Sequence, residues 1–224
     1  WSSDVCSSDL MSLPIHLQAA SRPGDQQPLA GELTLRRGRL HEFCGPSRLM
    51  LAVGVMARSA GPVVWIRPGW WPERLNAAGL QPLANPARLI LARADRDEAA
   101  LWAAEEALRS GVVPLVVVET AGLPGLTPVR RLHLAAGAGA EAAHRGGTIA
   151  PLGLILTSGQ GGAPGVESRW HLAPRPSRSL LWSDEAAWTL TRLRARLAPP
   201  ARWRLCRKGG TPDALEPLSP DPEA

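Results

Sequence analysis

Four short, continuous apolar runs dominate the hydrophobic pattern of the chain. They cover residues 62–66 (PVVWI), 89–92 (LILA), 112–118 (VVPLVVV) and 149–156 (IAPLGLIL). Because apolar residues in these runs do not alternate with polar ones, the runs are typical of strands buried on both faces of a parallel sheet. Residues 39–44 (RLHEFC) predict a fifth, earlier strand.

Helices are predicted between these strands. The first covers residues 47–60, with Ser47 as its N-cap. The second opens at Asp95, and Glu98 three positions later suggests a capping box. The third begins at Thr127-Pro128, a cap followed by proline in the first turn. The alternation of strands and helices predicts an α/β fold, in which helices flank a mostly parallel sheet.

The remainder of the chain predicts a small helix–strand extension. Residues 158–168 form a glycine-rich loop, and 169–173 (RWHLA) read as a strand. Residues 183–198 predict an amphipathic helix, and 202–207 (RWRLCR) alternate like an edge strand. One face of the helix would carry Ala186, Leu190, Leu193 and Leu197, and another would carry Trp188, Arg192 and Arg196.

These features divide the chain into five parts. Residues 1–10 (WSSDVCSSDL) repeat Ser-Ser-Asp, and 4–10 fit one reading frame of a common sequencing adapter, so we expect this segment to be non-native. A flexible lead is expected over 11–30 and a sheet-based core over 31–182. A basic C-terminal helix and strand follow over 183–208, and a disordered tail over 209–224, which is rich in Pro, Asp and Glu.

Composition narrows the class of protein only slightly. The formal net charge is +5, Lys208 is the only lysine, and the abundance of Ala, Gly, Pro, Arg and Trp follows GC-rich codons. No apolar run reaches the roughly 18 residues of a membrane span. Outside 1–10 only Cys44 and Cys206 remain, which indicates no disulfide framework. A cytoplasmic protein without membrane association is the expectation.

The turn after the first core strand is where a nucleotide-binding fold would hold phosphate. A phosphate loop needs glycines, a lysine and a Ser/Thr hydroxyl before a helix. Here the chain has Gly45, Pro46, Ser47 and Arg48, without Gly-Lys-Ser/Thr. This degenerate loop favours a tight turn over an anion contact through Arg48.

The acids that nucleotide hydrolysis would need are also poorly placed. Glu73 is the only acid soon after the second core strand, and Glu119 ends the strand where an acid would hold magnesium. For Glu119 the sequence favours a capping or ion-pair role over metal binding. We therefore expect no ATP hydrolysis, no catalytic residue and no cofactor.

Several motifs, in order, resemble the RecA ATPase core. They are residues 38–46 (GRLHEFCGP), 106–128 (EALRSGVVPLVVVETAGLPGLTP), and 154–158 followed by a glycine-rich loop and 169–172. Within that superfamily the chain resembles the ImuA family, whose members share the lost phosphate loop. The resemblance is carried by His41-Glu42, Arg130-Arg131-Leu132, residues 167–170 (ESRW) and Trp203-Arg204-Leu205, and it extends over roughly 31–207.

The resemblance implies a fold and a role. The fold is α/β with a RecA-like, mostly parallel sheet flanked by helices. The role is that of an accessory protein in SOS-induced mutagenesis and translesion synthesis. The implied partners are an ImuB-like Y-family polymerase homologue and an error-prone replicative-type DNA polymerase, with RecA and single-stranded DNA as further candidates. The alternatives are a RecA-type ATPase or recombinase and a SulA-like inhibitor of cell division.

The basic C-terminal region is the main candidate binding surface. Between 169 and 208, ten basic residues stand against two acids, with tryptophans between them. Such a segment can dock a protein, bind single-stranded DNA by phosphate contact and stacking, or form a solvated basic face. The candidate residues are Trp188, Arg192, Arg196, Trp203 and Arg204. The five histidines lack metal-ligand spacing, so no metal site is expected.

Overall fold

A nine-stranded sheet organises the computed structural model, which describes residues 25–175, 185–208 and 214–217. The strands are β1 Gln26–Ala30, β2 Leu33–Arg36, β3 Leu40–Cys44, β4 Val63–Pro68, β5 Leu89–Ala94, β6 Leu115–Glu119, β7 Leu152–Leu156, β8 Ser168–Arg175, β9 Glu185–Ala195, β10 Ala201–Lys208 and β11 Ala214–Pro217. The helices are α1 Arg48–Arg58, α2 Ala77–Leu80, α3 Asp97–Arg109 and α4 Leu126–Arg145, with a 3₁₀ turn at Pro86–Arg88.

The order of strands in the main sheet is β11-β10-β9-β8-β3-β7-β6-β4-β5. From β8 to β5 every neighbouring pair is parallel, whereas β8, β9, β10 and β11 pair antiparallel. The strands β1 and β2 form a separate antiparallel hairpin. The parallel strands end together, so the turns after β3, β4, β6 and β7 lie along one edge of the sheet.

Two apolar cores cover the two faces of the sheet. On one face, Phe43 and Trp65 are fully buried with α1 and the hairpin. On the other face, α3 and α4 pack on the sheet through small residues. These two helices approach so closely that a Cβ at Gly139 would lie 1.9 Å from the carbonyl oxygen of Leu108. Glycine is therefore required at Gly139 for steric reasons.

The predicted fold class is confirmed: the structure is α/β, with a mostly parallel sheet flanked by helices, and it is compatible with a RecA-like fold. The five predicted core strands correspond to β3, β4, β5, β6 and β7. The predicted burial of 89–92 on both faces is wrong, because β5 is an edge strand and Ile90 and Leu91 are each 54% exposed. The predicted helix caps are wrong in detail. Ser47 precedes α1, but its side chain makes no capping hydrogen bond. The second helix has Arg96 at its N-cap, and the third has Gly125.

The predicted C-terminal helix is wrong, because most of its residues form strand β9. A period of two replaces the helical period, so Trp188, Leu190 and Arg192 share one face of the strand. The strand pairs with β8 on one side and β10 on the other. Since β10 also pairs with β11, β10 is not an edge strand. The unpaired edge that β8 would otherwise expose explains why the segment extends the sheet.

Both predicted flexible ends contain regular structure. Gln26–Ala30, part of the expected flexible lead, is β1 and pairs with β2. Ala214–Pro217, part of the expected disordered tail, is β11 and pairs with β10. The expectation for residues 1–10 lies outside the described residues. Leu29, Ala30 and Leu35 bury fully against α1, which accounts for the order of the hairpin.

Replacing Trp188 by alanine should destabilise the protein. Trp188 is 7% exposed and belongs to the core cluster that contains Leu190 and Leu205. Loss of a buried tryptophan typically lowers the free energy of unfolding by about 3–5 kcal/mol. Urea denaturation of Trp188→Ala measures this change, with the exposed Arg194→Ala on the same strand as control. Equal stability of the two variants would contradict the burial of Trp188.

Candidate functional site

The turn at the phosphate-loop position is closed by the protein's own contacts. The amide of Ser47 donates to the carbonyl of Leu172 on β8 (3.0 Å), and the amide of Arg48 donates to the carbonyl of Gly45 (3.3 Å). Gly45 has a φ of 89°, and a Cβ there would lie 2.6 Å from the Leu172 oxygen and 2.7 Å from the His171 ring. Amides that would face a phosphate in a nucleotide-binding loop are thus already engaged.

Arg48 also turns back onto this loop. Its Nη1 donates to the carbonyl of Gly45 at 3.3 Å. The first turn of α1 holds no acidic residue, and Pro46 supplies no amide hydrogen. The four residues of the degenerate loop therefore form a tight connection between β3 and α1.

Glu119, at the end of β6, is held by an internal network. Its Oε1 accepts from the indole nitrogen of Trp65 (2.7 Å) and lies 3.0 Å from Nε of Arg67. Nη2 of Arg67 reaches Oε2 at 3.5 Å, while Nη1 donates to the carbonyl of Glu73 (3.0 Å). Glu119 is 1% exposed. These contacts agree with the predicted ion-pair role, and Glu73 takes part only through its backbone.

A second buried carboxylate, Glu42 on β3, anchors the glycine-rich loop. Its Oε1 accepts from the hydroxyl of Thr157 (2.6 Å) and from the amide of Gly162 (2.8 Å). The amide of Ala163 reaches both carboxylate oxygens at 3.1 Å, and Arg169 forms an ion pair with Oε2. Arg169 also donates to the carbonyl of Ala163 (2.9 Å). The carboxylate thereby fixes the loop against the sheet.

This network was not predicted as a site. The only signal in the sequence is an acid in the middle of an apolar strand, since residues 40–44 read LHEFC. All five residues of that strand are buried, and the partners of Glu42 lie more than a hundred positions away. Sequence spacing cannot pair residues at that separation.

Trp188, Arg192 and Arg196 do not form the predicted cluster on one face of a helix. Trp188 is in the core. Arg192 lies over the rings of Trp170 (5.7 Å) and Trp203 (5.2 Å), and its Nε donates to the carbonyl of Pro199 at 2.9 Å. Trp170 and Trp203 have ring centroids 5.8 Å apart. Burial lowers the pKa of Arg192. Arg204 follows Trp203 on β10, opposite Thr189 of β9.

Arg196 joins a different cluster, around the carboxylate of Glu167. Nε of Arg196 lies 3.5 Å from Glu167 Oε2, Nε of Arg39 lies 3.7 Å from it, and Nε2 of His133 lies 3.9 Å from it. Arg39, His133 and Arg196 border a cavity of about 440 Å³ beside α4. Burial and the positive charges of Arg39, Arg196 and Arg36 lower the pKa of His133 to about 4, so its ring is neutral at pH 7.

The buried histidine of β3 is hydrogen-bonded through both ring nitrogens. His41 Nε2 lies 2.9 Å from the carbonyl of Arg36, and Nδ1 lies 2.7 Å from the hydroxyl of Ser168. The indole nitrogen of Trp170 donates to the same hydroxyl at 2.7 Å. Burial lowers the pKa of His41 to about 4. A neutral ring that donates through Nε2 and accepts through Nδ1 satisfies this chain of hydrogen bonds.

The thiol of Cys44 is also buried. Burial and the nearby charge of Glu42 raise its pKa to about 12. Cys44 and Cys206 are both free.

Among the described residues, no group of three or more His, Cys, Asp and Glu side chains is arranged to hold a metal ion. Within the same part of the chain, none of the helices has the length and apolar character needed to cross a bilayer.

A larger cavity, of about 600 Å³, lies between α3 and the loop that enters α4. Leu101 and Trp102 of α3 face Leu123, Pro124 and Pro128 across it. The loop is held by α3, because Asp97 accepts from the amides of Ala121 (3.2 Å) and Gly122 (3.0 Å). We refer to this cavity as the α3–α4 groove. This groove was not predicted from the sequence.

Replacing Glu42 by glutamine should release the glycine-rich loop. The substitution keeps the size of the side chain but leaves Arg169 without its ion-pair partner, and breaking a buried pair costs about 3 kcal/mol or more. We expect lower stability in urea and faster hydrogen exchange at the amides of Gly162 and Ala163. Glu106→Gln, which disrupts an exposed pair with Arg109, is the control and should cost under about 1 kcal/mol. Unchanged exchange at both amides would contradict the anchoring role.

No protein-family model matches the chain, and no curated protein matches its sequence. Among solved structures, the chain is similar to SulA from Pseudomonas aeruginosa, with 20% sequence identity and a TM-score of 0.42. The match covers 54% of this chain and 98% of that one. The resemblance to the ImuA family stays a prediction from sequence motifs.

Proposed function

We propose that this chain is a non-catalytic accessory protein of SOS-induced mutagenesis and translesion DNA synthesis. In this proposal it acts in the cytoplasm as a scaffold that binds an ImuB-like Y-family polymerase homologue and, with it, an error-prone replicative-type DNA polymerase. The motif resemblance to the ImuA family supplies the biological context. The closed turn at Gly45, Pro46, Ser47 and Arg48 is the structural observation that carries the proposal.

The closed turn supports binding over catalysis for a physical reason. A phosphate loop works by directing free backbone amides and a lysine at the anion. Here the amides of Ser47 and Arg48 bond to carbonyls of the protein, and β8 fills the space beside Gly45. Opening the turn for a nucleotide would break these bonds and separate β8 from the start of α1.

The position of the acids supports the same conclusion. Glu119 stands where an ATPase would need a carboxylate for magnesium, but both of its oxygens contact Arg67 or Trp65. Removing a carboxylate from a buried pair leaves an unpaired guanidinium in the interior. A magnesium ion would therefore compete with the protein's own cation for Glu119. With the phosphate-loop turn closed and Glu119 paired to Arg67, the α/β core is better suited to binding partners than to nucleotide hydrolysis.

A reconstitution experiment tests the proposed partners. The purified chain is mixed with the Y-family polymerase homologue of the same genome and followed by analytical ultracentrifugation. We expect a complex with a Kd of about 1 µM or tighter, which also recruits the error-prone polymerase. RecA and single-stranded DNA are tested in parallel, and a steep salt dependence would identify a phosphate-mediated contact. Binding to a cell-division protein, without binding to the polymerase homologue, would overturn the proposal in favour of a SulA-like inhibitor.

ATP should neither bind nor be hydrolysed appreciably. The physical reason is that the turn at Gly45 lacks lysine and free amides. Isothermal calorimetry with ATP and magnesium measures binding, and phosphate release measures hydrolysis. Micromolar affinity that disappears in Arg48→Ala would contradict the prediction and would favour the RecA-type ATPase alternative.

A further inference from the structure

Large apolar side chains that line the α3–α4 groove are exposed to solvent. Trp102 is 60% exposed and Leu123 is 57% exposed, and they stand on opposite walls of the cavity. Leu126, at the start of α4, is 58% exposed close to the same loop. Contiguous exposed apolar surface with a polar rim is a common feature of protein-binding sites.

The rim of this groove is acidic, although the chain as a whole carries a net charge of +5. Asp97, Glu98 and Glu105 lie along α3, and among the described residues Arg131 is the one basic residue that lines the cavity. Glu105 already forms ion pairs with Arg109 and Arg131. The carboxylate of Glu98 has no ion pair or hydrogen bond within the described part of the chain, and its side chain is exposed. The groove is therefore an acidic region on a chain whose net charge is positive.

The spacing of the α3 residues gives the groove a length and a direction. Asp97, Leu101 and Glu105 follow one another at intervals of four, and Glu98 and Trp102 repeat the same interval beside them. Residues separated by four positions lie on one face of a helix, and eight residues rise about 12 Å. This acidic and apolar face is thus about two helical turns long. This face is long enough to contact the apolar face of a short amphipathic helix.

We propose that the α3–α4 groove docks a basic amphipathic helix of a partner protein. Apolar side chains of that helix enter between Trp102 and Leu123, and its lysine or arginine side chains meet Glu98 and Asp97. Tryptophan side chains that close on a partner are frequent anchors of protein interfaces. The site is chemically independent of the closed turn at Gly45, so it does not rest on the function proposed above.

Two matched peptides test this site. Both are short, helix-forming and fluorescein-labelled, with leucines at i, i+3, i+4 and i+7; one has lysine and the other glutamate at the remaining positions. Their binding is measured by fluorescence anisotropy. The net charge of the chain would attract the glutamate peptide, whereas the groove favours the lysine peptide. We expect the lysine peptide to bind at least about tenfold more tightly.

Variants of the full chain locate the binding. The double substitution Trp102→Ala with Leu123→Ala, and separately Glu98→Lys, should each weaken the lysine peptide by about tenfold or more. The matched control is Ile90→Ala with Leu91→Ala on β5, because these side chains are both 54% exposed but lie away from the groove. Control affinity should stay within about twofold. The proposal is overturned if the lysine peptide shows no saturable binding, no preference over the glutamate peptide, or no loss in the groove variants.

Discussion

The buried carboxylate of Glu42 is the interaction on which the arrangement of the central sheet depends. Strand β3 lies between β7 and β8, and the connection from β7 to β8 must cross it. Donors that reach Glu42 come from the end of β7, from the glycine-rich loop and from β8. A buried charge is expensive unless it is fully paired. The same requirement that keeps Glu42 satisfied therefore orders the crossing loop.

The polar groups near a nucleotide-binding position follow the same rule. Glu119 is paired with Arg67, and the amides after β3 are bonded to β8 and to the turn itself. Each of these groups is buried or engaged inside the fold, where an unpaired polar group costs about 1–3 kcal/mol. What remains available to partners lies on the surface, and the α3–α4 groove combines exposed apolar side chains with unpaired negative charge. This distribution is compatible with the binding role proposed above.

The C-terminal residues show that one hydrophobic pattern fits both a helix and a strand. Ala186, Leu190, Leu193 and Leu197 fit a helical stripe, while Trp188, Leu190 and Arg192 also fit an alternating strand. Local pattern alone does not separate these two interpretations. The strand forms because β8 offers an open edge and because β10, with Trp203 and Leu205, pairs on the other side. Trp188 then becomes part of the core, and Arg192 lies over the adjacent rings of Trp170 and Trp203.

The sequence by itself determined the α/β class, the positions of the five core strands and the missing lysine of the phosphate loop, because continuous apolar runs and motif residues are local properties. Tertiary structure decided what the polar residues do. Glu42 meets Arg169, Arg196 meets Glu167, and Trp102 faces Leu123 only after the chain has folded. Hydrogen bonds and ion pairs depend on distances of a few ångströms between residues far apart in sequence. No spacing along the chain encodes those distances.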